Sequence, residues 1–282
     1  MRVGVSGASG KLGQAVVAEL IARGGGHQLV GISRTPESVQ GRIEARLGDY
    51  DHPDTLVRAY TGLDRLLIIP SSELQPGVRG KQLTAAIDAA RRAGVGHVFL
   101  VSAAGTHEEK GHGLGEAYWM GEQHLIKTAA HWTILRMNYY SQSMAEEIQM
   151  SLGQGMLAGL GDERVAYVSR DDLAAAAAGA LLGEGHAGAI YNLTGPATIS
   201  GAERAKLVAD ILRKPFSYAA ITEAQLRAGL SQAGLPDLII EAMAEIKRTF
   251  VQGKFDIVTG DVERLSGRPP KSLRDILAQQ LS

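Results

Sequence analysis

Through its first half this chain alternates short aliphatic runs with longer helical patterns, and that alternation restricts the fold more than any other feature. Strand candidates lie at residues 3–5, 27–33, 43–47, 65–69, 97–102 and 132–136, the fourth ending LLII and the fifth reading HVFLVS. These runs lack a polar alternation, so both faces need cover, as in parallel strands joined by helices. Between the first two, Leu12, Val16, Val17, Leu20 and Ile21 recur at helical spacing until glycines 24–26 end the pattern. Further helices are expected at 54–61, at 75–93 with Val78, Leu83, Ala86 and Ile87 on one side, and at 115–128. With right-handed crossovers, the result is an α/β fold, a doubly wound parallel sheet.

The second half is less regular. Residues 171–182 (DDLAAAAAGALL) form a helix whose alanines allow close packing on a sheet, 190–193 a strand, and 201–212 and 223–233 amphipathic helices. A length of 282 residues accommodates one large domain or two small ones. Residues 1–150 are expected to form a dinucleotide-binding domain to which later segments return, and 151–282 a smaller substrate-binding α/β lobe.

After the first strand the chain reads Gly7-Ala8-Ser9-Gly10-Lys11-Leu12-Gly13 and then opens a helix. In a dinucleotide turn the first glycine makes the tight bend, the second lets backbone approach the pyrophosphate, and the third lets the helix pack closely. The helix start presents free N–H groups and a partial positive charge to phosphate. A bare glycine pattern is weak, but the strand before it and the helix after it point to a bound dinucleotide. An NAD-preferring site carries Asp or Glu at the end of the second strand. Here the stretch is Gly31-Ile32-Ser33-Arg34-Thr35-Pro36, with no acid before Glu37. The Arg34 guanidinium suits a 2′-phosphate, so NADP(H) is the expected cofactor.

Charge excludes another class of ligand. Lys and Arg total 29 against 30 for Asp and Glu, a net charge of −1, so there is no surplus to hold nucleic acid. No stretch approaches the roughly 20 apolar residues that cross a bilayer, and the opening MRVGVSGASG lacks the apolar core of a signal peptide. The absence of cysteine rules out disulfides and thiolate chemistry and fits a reducing compartment. A cytoplasmic protein is expected, without membrane or nucleic-acid partners, and a homodimer by base rate.

With those residues read, SGASGKLG, ISRTPESV, LGDYDHPDTL, LLIIPSSE and YVSRDDLAAAA together resemble the NmrA-like atypical short-chain dehydrogenases, in order and over nearly the whole chain. The resemblance is strongest to the branch of type 2 quinone oxidoreductases and triphenylmethane reductases, and it implies a Rossmann domain binding NADP(H). It also implies cofactor contacts at Asp49 and Tyr50, at Ser71, Ser72 and Glu73, at Ser102 and Ala103, and at Asn138 and Tyr140. These positions follow successive strands, where open α/β sheets bind ligands. Two departures stand out. The branch's LRN is Leu135-Arg136-Met137-Asn138 here, and the dehydrogenase Tyr-x-x-x-Lys pair is absent, Tyr118 being followed four residues on by Glu122.

Nicotinamide supplies the hydride, so the protein need only orient an acceptor against it. A tyrosine of ordinary pKa without its lysine is a poor acid at neutral pH. A quinone tolerates that, because its oxyanion is delocalised, and a cationic dye needs no proton at the reacting carbon. The expected reaction is hydride transfer to a small planar conjugated acceptor, with Tyr118 the catalytic candidate and Trp119 and Tyr139 substrate contacts. The alternatives are an NADP-binding redox sensor without turnover and an epimerase- or ene-reductase-like relative. No metal site is expected: His107 and His112 lack a third ligand at defined spacing. Ser102 and Ser141 lack the hydrolase G-x-S-x-G, and Asp171–Asp172 follows Ser169, an expected helix cap.

Overall fold

The protein is described from a computed structural model, over residues 1–108 and 113–281. In chain order it forms β1 (Arg2–Ser6), α1 (Lys11–Arg23), β2 (Gln28–Ser33), β3 (Glu44–Leu47), α2 (Pro53–Tyr60), β4 (Arg65–Ile68), α3 (Val78–Arg92), β5 (His97–Ala103), α4 (Leu114–Thr128) and β6 (Trp132–Met137). It continues with α5 (Ser141–Ser151), β7 (Met156–Gly159), α6 (Arg170–Leu182), β8 (Ala189–Leu193), α7 (Gly201–Leu212) and β9 (Ser217–Ala220). Four helices close it: α8 (Glu223–Gln232), α9 (Asp237–Val251), α10 (Asp261–Ser266) and α11 (Leu273–Gln280).

Seven strands pair in the order β3-β2-β1-β4-β5-β6-β8, every pairing parallel. This is the doubly wound sheet that the aliphatic runs predict. Neighbouring residues of a strand point to opposite faces, and β5 is covered on both. Phe99 and Val101 pack with Val3, Val5 and Leu67 under α1, α6 and α10. Val98 and Leu100 pack with Val30, Ile32, Leu66 and Ile68 under α2, α3 and α4. Each such side chain contributes about 1.5–3 kcal/mol relative to remaining exposed. Strand order reverses between β1 and β4, so the crevice for a ligand lies outside their carboxyl ends.

The later chain does not divide from the sheet at residue 150. A cut there falls inside α5, while α6, α10 and β8 return to the first core. Ser169 caps α6 as expected, its Oγ accepting from the Asp172 amide. A third core holds Met144 and Ile148 of α5, Leu157 of β7, Val208 of α7, Phe250 of α9 and Leu273 of α11. Charges are buried beside it. Arg204 pairs with Glu163 at 2.7 Å, and Lys247 with Glu147 at 2.7 Å. Among the described residues no helix is long and apolar enough to cross a membrane.

Candidate functional site

The turn after β1 is built around three glycines with different demands. Gly7 sits at φ +89°, where a side chain is strained, and its amide donates to Ile32 O at 2.9 Å. A Cβ on Gly13 would lie 2.1 Å from Gly7 O and 2.7 Å from Ala8 Cα, so α1 approaches the turn as closely as glycine permits. Gly10 is unlike either. Its φ of −75° and ψ of 162° suit any residue, and the nearest atom to a Cβ would be 3.4 Å away. Nothing inside the polypeptide requires glycine there, whereas a pyrophosphate on the start of α1 would. Lys11 opens α1 with a largely exposed ammonium, Ala8 is buried beneath the turn, and Leu12 packs into the first core.

The carboxyl end of β2 continues this cradle. Ser9 Oγ and Ser33 Oγ are 2.7 Å apart, and the Thr35 amide donates to Ser33 Oγ at 3.0 Å. Arg34 projects into solvent and, among the described residues, hydrogen-bonds to none. Burial pushes the Asp49 carboxyl up, but hydrogen bonds from the Asp51 amide and His52, with the charge of Arg34, bring it below its ordinary value. A phosphorylated ribose fits this corner: a guanidinium without a committed partner, two hydroxyls beside it, and a carboxylate that accepts rather than donates.

Asp49, Tyr50 and Ser71 have polar groups engaged by the chain itself. Asp49 Oδ1 accepts from the Asp51 amide at 3.0 Å. Tyr50 donates its hydroxyl to Ile69 O at 2.8 Å, and Ser71 donates to Gln82, which in turn donates to Asp51. Glu73 Oε1 accepts from the Leu74 and Gln75 amides, both at 2.8 Å, which shapes the loop before α3. The Ser102 hydroxyl is turned inward, fully buried, and donates to Glu122 Oε1 at 2.6 Å; its neighbour Ala103 reaches the cleft beyond.

That cleft, about 340 Å³, opens at the carboxyl ends of β4, β5 and β6. Ser72, Ala103, Tyr118, Asn138, Tyr139 and Tyr140 line it. Asn138 accepts from the Tyr139 amide at 2.8 Å and donates to Phe255 O at 3.1 Å, which fixes the chain after β6. Tyr139 donates to Glu147 Oε1 at 2.7 Å and meets Phe250 edge-on. Burial pushes the Tyr139 phenol up, with the Glu147 charge adding to it, and burial, with Tyr118 beside it, raises Tyr140 against the opposing charge of Arg170; both stay protonated at neutral pH. Trp119, expected beside them, does not line the cleft. Successive helical residues are about 100° apart around the axis, so Tyr118 facing the cleft turns Trp119 away.

Sequence reading missed the far side of the cleft. Ala242, Glu245, Ile246 and Thr249 come from α9, with Lys254 and Phe255 just after it, and Arg79 from the first turn of α3. Apolar residues at 239, 240, 243, 246 and 250 carry the helical period that would have located α9. A separate hollow of about 580 Å³ lies near the amino end of β2, and none of the candidate residues lines it. Among the described residues no three His, Asp or Glu gather as a metal would need. His107 contacts Gly105 O and Lys254 instead, and His112 lies outside the described residues. Asp172 accepts from Ser169 Oγ and the Lys271 amide, away from the cleft.

The family model described as NAD(P)H-binding matches residues 7–183. Quinone oxidoreductase 2 of Escherichia coli (strain K12) is 29% identical over 97% of this chain and 96% of its own length. The crystal structure of the Escherichia coli NADPH-dependent quinone oxidoreductase complexed with NADPH superposes with a TM-score of 0.93 at 28% identity, covering 99% of this chain and all of that one. Citrobacter sp. triphenylmethane reductase complexed with NADP(H) gives 0.91 at 26% identity, again over 99% of this chain and 100% of its own. The glycine turn, the parallel sheet and these likenesses converge: this chain belongs to the NAD(P)H-binding family, and its resemblance to the NmrA-like reductases extends along nearly its full length.

Proposed function

We propose that this protein is an NADPH-dependent oxidoreductase that passes hydride to a quinone or another planar conjugated acceptor. The reading is carried by the placement of an aromatic cleft along the same sheet edge as the dinucleotide turn. From β2, with Arg34 after it, to β5 is three strand steps, about 14 Å, a distance that an extended dinucleotide bridges. Gly7 to Gly13 would hold the pyrophosphate, Arg34 with Ser33 and Thr35 the 2′-phosphate, and Ala103, Asn138 and Tyr140 would border the nicotinamide. When bound, that coenzyme supplies the hydride.

The chain's own groups bind and orient. Tyr118, Tyr139 and Phe255 offer flat faces to a planar ring, while Leu114, Ala242 and Ile246 exclude water from it. No lysine follows Tyr118 to assist proton donation. Glu122 holds that position and is consumed by Arg136, so an acceptor that tolerates a delocalised anion, or carries a positive charge, suits the site better than an isolated ketone. The similar proteins named for quinone and triphenylmethane reduction support this substrate class.

The test follows NADPH absorbance against a panel of quinones and triphenylmethane dyes. Oxidation with at least one acceptor, faster with NADPH than NADH, is the expected result. Tight NADPH binding with no oxidation by any of them would replace the enzyme with an NADP-binding sensor.

A further inference from the structure

Among the described residues the buried cations are paired, with one exception. Arg204 and Lys247 each meet a carboxylate at 2.7 Å. Arg79, 8% exposed, has no carboxylate within 4 Å among the described residues, and its Nε has no hydrogen-bond partner. Its one hydrogen bond among them is a long one, from Nη1 to the Tyr118 hydroxyl at 3.4 Å, and its guanidinium carbon stands 5.7 Å from the Tyr118 ring centre. Burying a charge without a counter-ion is costly. Where a chain retains such a group, a functional site is the expected setting, and both Arg79 and Tyr118 line the substrate cleft.

The other charged groups of the cleft leave this position to Arg79. Glu245 accepts from the Gly115 amide at 3.1 Å, and Lys254 lies 3.3 Å from His107 Nε2. We propose that Arg79, with the Tyr118 hydroxyl, receives the acceptor oxygen that becomes anionic as hydride arrives, and so selects quinone-type carbonyl acceptors. The inference rests on the oxidoreductase reading above and assigns the group that stands in for the missing lysine. In the step, a C–H bond of the dihydronicotinamide breaks and its electron pair, with the hydrogen, joins the quinone. The hydrogen ends on one carbonyl oxygen and the displaced π electrons on the other, giving the hydroquinone monoanion with its anionic oxygen opposite Arg79. Water then supplies the one proton that the monoanion still needs, leaving hydroxide in the solvent, and the coenzyme leaves oxidised.

A phenol that absorbs visible light only when ionised tests the site without turnover. With NADP+ present and at a pH where about half of free 4-nitrophenol is ionised, the bound phenol should be almost wholly ionised, because a nearby cation favours the charged form. Arg79→Gln should abolish that spectral shift and Arg79→Lys retain part of it, with circular dichroism confirming that each variant folds. In turnover, Arg79→Gln should lower kcat for a quinone about a hundredfold, as loss of one oxyanion donor does, and lower kcat for a cationic triphenylmethane dye far less, since that acceptor ends neutral. Failure of the unmutated protein to bind the phenol, or binding without ionisation, overturns the proposal. So does a shift that survives Arg79→Gln, or equal loss with both acceptors. A phenolate shift with no turnover of any acceptor would instead overturn the enzyme reading while keeping Arg79 as an anion receptor.

Discussion

Arg136 clasps Glu122 with two parallel bonds, Nε to Oε1 at 2.9 Å and Nη2 to Oε2 at 2.6 Å, and Ser102 donates to Oε1 at 2.6 Å. Glu122 is 1% exposed and stands four residues after Tyr118, where a conventional short-chain dehydrogenase would carry lysine. Installing that lysine would therefore not restore an acid pair; it would set a second cation against Arg136 in a buried site. Glu122→Lys is expected to destabilise the protein by about 3–5 kcal/mol, the usual cost of breaking a buried pair, and to give no gain in turnover. Urea unfolding measures the first and NADPH oxidation the second. A Glu122→Lys protein as stable as the parent would mean that this pair is not formed.

Gly10 and Gly13 separate folding from cofactor binding. Gly13→Ala drives a Cβ to 2.1 Å from a backbone oxygen, so the turn or α1 must shift, at about 1–3 kcal/mol or more. Gly10→Ala meets no such obstacle, and its stability should stay within about 1 kcal/mol of the parent, a small loss at the helix cap offsetting a gain in the unfolded chain. Its affinity for NADPH should nonetheless fall sharply, because on the proposed placement of the pyrophosphate the methyl would stand in its path. Thermal melting without ligand and calorimetric titration with NADPH separate the two effects. Undiminished affinity in Gly10→Ala would move the pyrophosphate elsewhere.

How far the sequence foretells this structure depends on what each segment is asked to do. Runs such as LLII at 66–69 and HVFLVS at 97–102 are buried on both faces, so their composition states their role directly, and the sheet was legible from them. The turn at residues 7–13 was equally plain because Gly7 and Gly13 answer to backbone geometry. The distal lobe was not, since β7 and β9 are short, half-exposed strands whose pairing joins residues 156–159 to 217–220. Trp119 shows another limit: its neighbour Tyr118 reaches the cleft, and only the rotation of α4 distinguishes them. Arg79 was invisible for a third reason. An arginine early in a helix reads as a solvated surface group until its burial and missing counter-ion are seen.

Arg34 should set the choice between coenzymes. Its guanidinium is exposed at the end of β2 and hydrogen-bonds to none of the described residues, so a 2′-phosphate would gain a charge-assisted contact of about 1.5–3 kcal/mol, or roughly 10–100-fold in affinity. Arg34→Asp should erase that advantage and offer a carboxylate to the ribose hydroxyls of NADH instead. The readout is the ratio of dissociation constants for NADPH and NADH in both proteins. Equal affinity for the two coenzymes in the unmutated protein would refute the assignment.

His97 makes stability depend on pH. Burial, reinforced by the charges of Arg65 and His131, pushes its imidazole down to about 4. Thr133 Oγ1 donates to His186 O at 2.7 Å, so it accepts from His97 Nε2 at 2.8 Å, and the neutral ring stacks on Phe99. In the unfolded chain the same ring titrates near its ordinary value of about 6.5. Between about pH 6.5 and pH 4 the unfolded chain therefore binds a proton that the folded protein refuses, and stability falls as pH drops through that window. Above about pH 7 both states hold a neutral ring, and this contribution is fully present. His97→Gln keeps a donor for Thr133 but cannot titrate, so its urea midpoint should fall less steeply from pH 7 to pH 4 than the parent's. A shallower slope should persist, because burial and Arg264 also lower His186. Parallel curves for parent and variant would show that His97 is protonated as readily in the folded protein as outside it.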